Sequence, residues 1–245
     1  LAAATVLGAI VGHPERELEV LESATDEDRK WLGTLLEANF CTVKLAEGVD
    51  NLYIEIMATT DEHTAVVRIE NAHTNITYVS IDGNVISETI NEIKEAERST
   101  CPMTFDSIYE FAKAGDISGI LASIKQQVEY NTAISNEGLS NDYGANIGRL
   151  LLLDDETPSL ETKCKARAAA GSDARMSGCP LPVVICSGSG NQGLTVSMPI
   201  ITTAEELDKT DEELYRSLVF ANLLTLYVKS GIGKLSAYCG VVSAA

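Results

Sequence analysis

The chain has 245 residues, of which 45% are hydrophobic and only 5% aromatic. That length suits one large domain or two small ones, with a core built mainly from Ala, Val, Ile and Leu. It carries 36 acidic against 18 basic residues, a net charge of −18 at pH 7, which argues against nucleic acid and anionic membrane surfaces as partners.

Leu1 to Val11 is small and apolar and is closed by His13-Pro14. Pro14 to Leu21 reads as a short helix. Thr25-Asp26-Glu27-Asp28 opens another: Thr25 can cap, and Asp28 sits three residues on in capping-box style. Trp31, Leu32, Leu35 and Leu36 follow at helical spacing. From Cys41 the period changes to two. Thr42 to Leu45, Leu52 to Met57, Thr64 to Glu70 and Asn75 to Ile81 alternate apolar and polar, and Asp82-Gly83-Asn84 is a hairpin signal. The expectation is four or five antiparallel strands over residues 41–90, one face wet and the other packed on helices.

Glu88 to Ser99 is a charged connector. Cys101-Pro102-Met103-Thr104 leads to a helix from Phe105 to Lys113, and a second runs from Ile117 to Ser135. Glu137-Gly138-Leu139 and Asp142-Tyr143-Gly144 read as turns before a helix from Asn146 to Leu153. Thr157-Pro158-Ser159 starts a helix through Ala170. Thr203 caps one that includes Glu205 and Glu206. Asp211 to Lys229 predicts a long, largely buried helix, since Leu214, Leu218, Leu223, Leu224, Leu226 and Val228 exceed a narrow stripe. Gly231-Ile232-Gly233 breaks it, and a last helix begins at Lys234. The fold class is α+β: N-terminal helices over 1–40, an antiparallel β subdomain over 41–90 and a helical domain over 100–245.

The chemistry concentrates between Gly171 and Pro199, GSDARMSGCPLPVVICSGSGNQGLTVSMP. Small and charged residues lead into Cys179, two prolines and the apolar run Val183 to Cys186. Ser187-Gly188-Ser189-Gly190-Asn191-Gln192-Gly193 follows. Its glycines free the backbone for positive φ and close approach to a ligand. Its hydroxyls and amides are short donors, and a helix starting near Gln192 would favour an anion. The plainer alternative is a polar turn between core segments. A phosphate-binding P-loop is excluded, because no Lys-Ser/Thr follows the glycines. Asp173 and Arg175 form either an ion pair bracing this loop or plain surface charge. Lys229 and Lys234 either attract a carboxylate or neutralise a helix C-terminus.

The six cysteines, Cys41, Cys101, Cys164, Cys179, Cys186 and Cys239, form no CxxC pair and no zinc-like spacing. They suit a reducing cytoplasm and core packing. No apolar run reaches the roughly 18 residues of a membrane span. Leu1 to Ala4 reads as the middle of a helix, and Val241 to Ala245 stops inside an apolar pattern, so a piece of a longer protein is expected.

The SGSGNQG run, together with Lys229-Ser230-Gly231-Ile232-Gly233-Lys234-Leu235-Ser236-Ala237-Tyr238-Cys239-Gly240, resembles the L-cysteine desulfidase family, relatives of the α chain of iron–sulfur L-serine dehydratases. Asn136 to Leu139, Asp142 to Gly144, Ala72 to Ile76 and Leu7 to Glu15 resemble it too, so the likeness covers almost the whole chain. It implies a cytoplasmic enzyme with a [4Fe–4S] cluster that eliminates sulfide from L-cysteine, or water from L-serine, to give pyruvate and ammonia. The partner implied is a small amino-acid substrate, and a homodimer is an allowed assembly.

The resemblance implies Cys239 as an iron ligand; many relatives carry a second cysteine where Val241 stands here. Further ligands are expected before Leu1 and after Ala245, so these 245 residues alone are expected to lack the cluster. Ser187, Gly188, Ser189, Gly190, Asn191, Gln192 and Gly193 are the expected substrate-binding residues, lining the main functional pocket and holding the carboxylate. His73, beside Thr74 and Asn75, is the candidate catalytic base; a structural histidine is the alternative. Cys179 and Cys186 are weaker candidates for ligands than for core residues. The second functional class is a non-catalytic binding module that kept the fold and lost the cluster, for which Val241 is the motive.

Overall fold

The computed structural model of the chain describes residues 1–21, 23–50, 52–89, 103–154, 156–232 and 239–245. It divides into two compact units, Leu1–Thr100 and Cys101–Ala245. The expected connector beyond residue 89, the lead-in at Cys101-Pro102 and the helix start at Lys234 lie outside the described residues.

In the first unit, α1 (Ala2–Val11) ends at Gly12 in the left-handed region, φ 69°, the usual C-terminal stop for a residue without Cβ. A 3-10 helix covers Pro14–Glu19. The expected capping box opens α2 (Asp26–Glu37): Thr25 Oγ1 accepts from the Asp28 N–H, and Asp28 accepts from the Thr25 N–H at 2.8 Å. None of its residues is buried, and Trp31 is exposed.

The period-two region forms four strands, β1 (Tyr53–Thr59), β2 (Thr64–Glu70), β3 (Ile76–Ile81) and β4 (Asn84–Glu88). They pair antiparallel in the order β1-β2-β3-β4. The turn before β4 has positive φ at both Asp82 and Gly83, the geometry of a tight hairpin. On one face Arg68 donates to Glu55 at 2.8 Å and lies over the Tyr53 and Tyr78 rings. The register puts Ile54, Ile56, Val67, Ile69 and Val79 on the opposite face.

One expectation fails here. Thr42 to Leu45 is not a strand: the run is short, its Leu45 is 89% exposed, and no strand among the described residues pairs with it. Among the described strand residues only Thr77 and Ser80 are buried.

The second unit is helical. It comprises α3 (Phe105–Ala114), α4 (Leu121–Ser140, preceded by a 3-10 turn), α5 (Ile147–Leu153), α6 (Leu160–Met176), α7 (Gly190–Glu206), α8 (Asp211–Lys229) and the short α9 (Gly240–Ser243). Ile134, Leu194, Met198, Ile201, Leu218 and Val219 form the core, drawn from α4, α7 and α8. α6 contributes the small residues Ala166, Ala170 and Ala174, all buried.

Small residues explain where the helices outrun the expectation. Gly138 lies inside α4, not in a turn, because its missing side chain lets α4 press on α6: a Cβ there would strike the Ala170 carbonyl. Gly148 does the same for α5 against the Ala166 carbonyl. Gly171 continues α6 past Ala170, packed on Leu194. α7 runs unbroken through Pro199, whose missing N–H and ring would ordinarily break or kink a helix; Thr203 is therefore inside it, its hydroxyl donating to the Pro199 carbonyl at 2.7 Å. α8 has the predicted limits, but only Leu218, Val219, Thr225 and Lys229 are buried, and Leu226 and Val228 are exposed.

Candidate functional site

The site begins with Val183-Val184-Ile185-Cys186, an extended segment without a neighbouring strand. The backbone hydrogen bonds of Val184 are made by the side chain of Asn131 on α4. The Val184 N–H donates to Asn131 Oδ1 at 2.9 Å, and Asn131 Nδ2 donates to the Val184 carbonyl at 3.3 Å and to Ser197 Oγ at 2.9 Å. Asn131 is fully buried, so this side chain pins the segment to the core.

The segment turns at once. Cys186 and Ser189 exchange both backbone hydrogen bonds, at 3.1 Å each. Ser187 and Gly188 between them have φ of 48° and 83°, which makes a type I′ turn. Gly188 takes that conformation freely, whereas Ser187 pays a steric penalty in it. Ser189 then caps α7, its hydroxyl accepting from the Gln192 N–H at 3.3 Å. The other glycines answer packing rather than ligand approach. A Cβ on Gly193 would strike the Val184 carbonyl, and one on Gly190 would strike the Arg175 guanidinium and Val183.

Arg175 and Asp173 do not pair with each other among the described residues. Arg175 braces the loop by donating to Asn191 Oδ1 at 3.1 Å. Asp173 Oδ2 accepts from the Ile147 N–H at 3.0 Å, at the start of α5. Nearby, Tyr143 donates to Glu137 at 3.0 Å, and that bond, with the Cys179 thiol beside it, pushes the Tyr143 hydroxyl up to about 12. Glu137 and Tyr143, from two of the family-like motifs, are thus tied to each other.

Beneath the turn lies Lys229, the last residue of α8, 5% exposed. Its ammonium donates to the Ser187 carbonyl at 2.9 Å and to Gln192 Oε1 at 3.0 Å. Both acceptors are neutral, and no described carboxylate pairs with it. Gln192 is completely buried, and no acceptor meets its Nε2 among the described residues. Gly240 closes on the pair: a Cβ there would strike Gln192 Oε1 and stand 2.9 Å from Lys229 Nζ. Cys239 immediately before it is exposed and precedes α9. Lys229 and Gly240 are therefore brought together with the SGSGNQG turn.

Other candidates stand elsewhere. His73 is exposed in the β2–β3 turn of the first unit. Cys186 is buried, and burial pushes its thiol up to about 11 against the opposing pull of Lys229, which suits a neutral core thiol. Cys164 lies on α6, its thiol 3.4 Å from the Pro199 carbonyl. Among the described residues no three His, Cys, Asp or Glu side chains come together as a metal site. A cluster held by thiolates does not fit the described residues alone. Two open grooves, of about 590 Å³ and 500 Å³, are lined by α3, α7 and α8 and by α6, α7 and Val241; neither includes a residue from Ser187 to Gly193.

Sequence reasoning missed Asn131. The signal was present: Gln127, Asn131 and Ser135 recur every four residues on the buried face of α4, where apolar residues would be expected. Each has a designated partner: Gln127 exchanges amide bonds with Asn222, and Ser135 donates to the Arg167 carbonyl at 2.8 Å.

No helix among the described residues is long and apolar enough to cross a membrane. No solved structure matches the chain. It is similar to UPF0597 proteins of Lachnoclostridium phytofermentans (43% identical, all of this chain and 59% of the relative) and Finegoldia magna (45%, covering 99% and 58%). A UPF0597 protein of Treponema denticola is 35% identical over the whole of this chain and 58% of its own length. The chain thus spans a little under three fifths of the curated relatives it matches. The model of the serine dehydratase alpha chain matches residues 15–245, and with the glycine-rich turn and its buried lysine in view, the chain belongs to that family.

Proposed function

We propose that the chain is the central region of an iron–sulfur-dependent lyase that performs α,β-elimination on L-cysteine or L-serine, releasing pyruvate and ammonia with sulfide or water. Membership of the serine dehydratase alpha chain family supports a lyase of this kind. The observation that carries the reading is the junction at Lys229, where Ser187, Gln192 and Gly240 meet around a buried cation. Buried charge without a counter-ion is typical of functional sites. In this reading Ser187 to Gly193 supplies short donors for the substrate carboxylate, and Cys239 is proposed as one ligand of a cluster completed outside the described residues.

The test is anaerobic reconstitution of the whole protein with iron and sulfide, followed by assay of pyruvate from L-cysteine and L-serine. Pyruvate from either, lost in Cys239→Ser, supports the reading; a reconstituted protein that yields none from both sinks it. The second reading, a binding module without catalysis, is favoured by the lack of a three-ligand group among the described residues. It predicts amino-acid binding with no turnover.

A further inference from the structure

We propose that the groove between α3, α7 and α8 is a binding site for a small apolar-tailed carboxylate, of the fatty-acid type, separate from the glycine-rich turn. The inference does not depend on the functional reading above.

The groove has a volume of about 590 Å³, within the range of small-molecule sites. Its α7 side runs from Pro199 to Leu207, a span of roughly 12 Å at the helical rise. Pro199, Ile200, Ala204 and Leu207 line that side, and Leu214 lines the α8 side. Leu207 is 55% exposed and Leu214 is half-buried, so this apolar surface is open to a ligand instead of being closed into the core. Covering it with a hydrocarbon tail removes it from water.

Charge at the groove selects the head group. In a chain of 36 acidic and 18 basic residues, the lining holds three cations, Lys113, Lys209 and Arg216, against one carboxylate, Glu213. Two of the cations are matched. Lys209 donates to Glu213 at 3.3 Å, and Arg216 donates to Glu212 at 3.0 Å. Arg216 also donates to the Ala112 and Gly115 carbonyls at 3.1 and 3.2 Å. These bonds tie the end of α3 to α8 and so fix the backbone that carries Lys113. The Lys113 ammonium has the Tyr109 ring 5.8 Å away and no carboxylate partner among the described residues. One unmatched ammonium beside an apolar wall fits a single negative charge on an apolar tail. A free amino acid fits poorly, because its own ammonium would meet the cations of the lining.

The probe is octanoate, kept below its micelle concentration and measured by calorimetry on the whole protein. 1-Octanol and octylamine are the comparisons, since they keep the tail and change the head. Wild type should bind octanoate at least ~10-fold more tightly than either. Lys113→Glu reverses the unmatched charge at an exposed position, so the thermal midpoint should hold while octanoate affinity falls by ~10-fold or more. Leu207→Glu tests the tail: the position is exposed, so the variant should fold, and a carboxylate on the apolar wall should remove octanoate binding. L-Serine in excess should not displace octanoate. No octanoate binding, equal binding of the three probes, wild-type affinity in either variant, or displacement by L-serine would each overturn the site.

Discussion

Asn131 holds Val184 as a neighbouring strand would: its carboxamide accepts from the Val184 N–H at 2.9 Å and donates to the Val184 carbonyl at 3.3 Å. The segment it holds leads directly into the Ser187-Gly188 turn, so one α4 side chain sets the height of the whole loop. Asn131→Ala would leave buried backbone groups and Ser197 short of partners, each at about 1–3 kcal/mol. The helical unit should lose roughly 2–4 kcal/mol in urea unfolding. Loss of under half a kcal/mol would show that Val183 to Cys186 is held by other contacts.

Ser187 sits at φ 48°, where a side chain is strained by roughly 1–2 kcal/mol. Ser187→Gly relieves that strain but loosens the unfolded chain by a comparable ~0.4–1 kcal/mol. Stability should therefore stay within about 1 kcal/mol. Ser187→Val should destabilise by at least ~1 kcal/mol, since a β-branched residue tolerates positive φ least. Gly193→Ala should be worse than either at a small residue, because its Cβ meets the Val184 carbonyl and overpacking costs about 1–3 kcal/mol. Thermal midpoints of the three variants check the order; Gly193→Ala as stable as wild type would contradict the packing role.

Period and capping made much of the fold legible. Thr25 with Asp28, the alternation from Leu52 to Ile81, and Asp82-Gly83 each state a local rule that the structure obeys. Tertiary contact decided the rest. Gly138, Gly171 and Pro199 look like breaks in one dimension, yet the first two are where helices touch, and the Thr203 hydroxyl bonds within α7 one turn beyond Pro199. Thr42 to Leu45 has the alternation of a strand and no partner among the described residues, so pattern alone misled. The SGSGNQG loop was visible from composition, but the reason for its glycines was not. Gly190 and Gly193 face Arg175 and Val184, contacts with no local signature. Lys229 as the loop's buried anchor could be seen only once α8 was placed beneath the turn.

The cysteines should separate by burial. Cys239 is exposed and Cys186 is 4% exposed, so alkylation near pH 8 should mark Cys239 well before Cys186, as read by peptide mass spectrometry. The Cys186 thiol, pushed by burial up to about 11 from 9.0, also carries a pH signature. Below pH 9 both folded and unfolded chains keep the proton, and the contribution is fully present. Between about 9 and 11 the unfolded chain loses it first, so stability falls with rising pH by up to ~1.4 kcal/mol per unit. Cys186→Ala should flatten that part of the profile. An identical alkaline slope in wild type and variant would mean that Cys186 does not set it.

Asn191 separates the two readings of the loop most cleanly. Its Oδ1 accepts from Arg175 at 3.1 Å, while the rest of its side chain is partly exposed beside Gln192. If the loop is only a structural turn, Asn191→Asp turns a neutral hydrogen bond into a charge-assisted one, and nothing else changes. Partly exposed ion pairs contribute about 0–1 kcal/mol, so the thermal midpoint should hold or rise slightly. If the loop holds a carboxylate, the same change puts like charge at the site. At an effective dielectric near 20, two charges a few ångströms apart repel by a few kcal/mol, so kcat/KM in the whole protein should fall by at least ~10-fold. Asn191→Ala completes the comparison: it loses the Arg175 bond at about 0.5–1.5 kcal/mol of stability without adding charge, and its loss of kcat/KM should be smaller than that of the aspartate. The diagnostic result is a variant that is as stable as wild type and much less active. Unchanged kcat/KM in Asn191→Asp would leave Arg175 and Asn191 as a brace alone and move the carboxylate site away from this face of the loop.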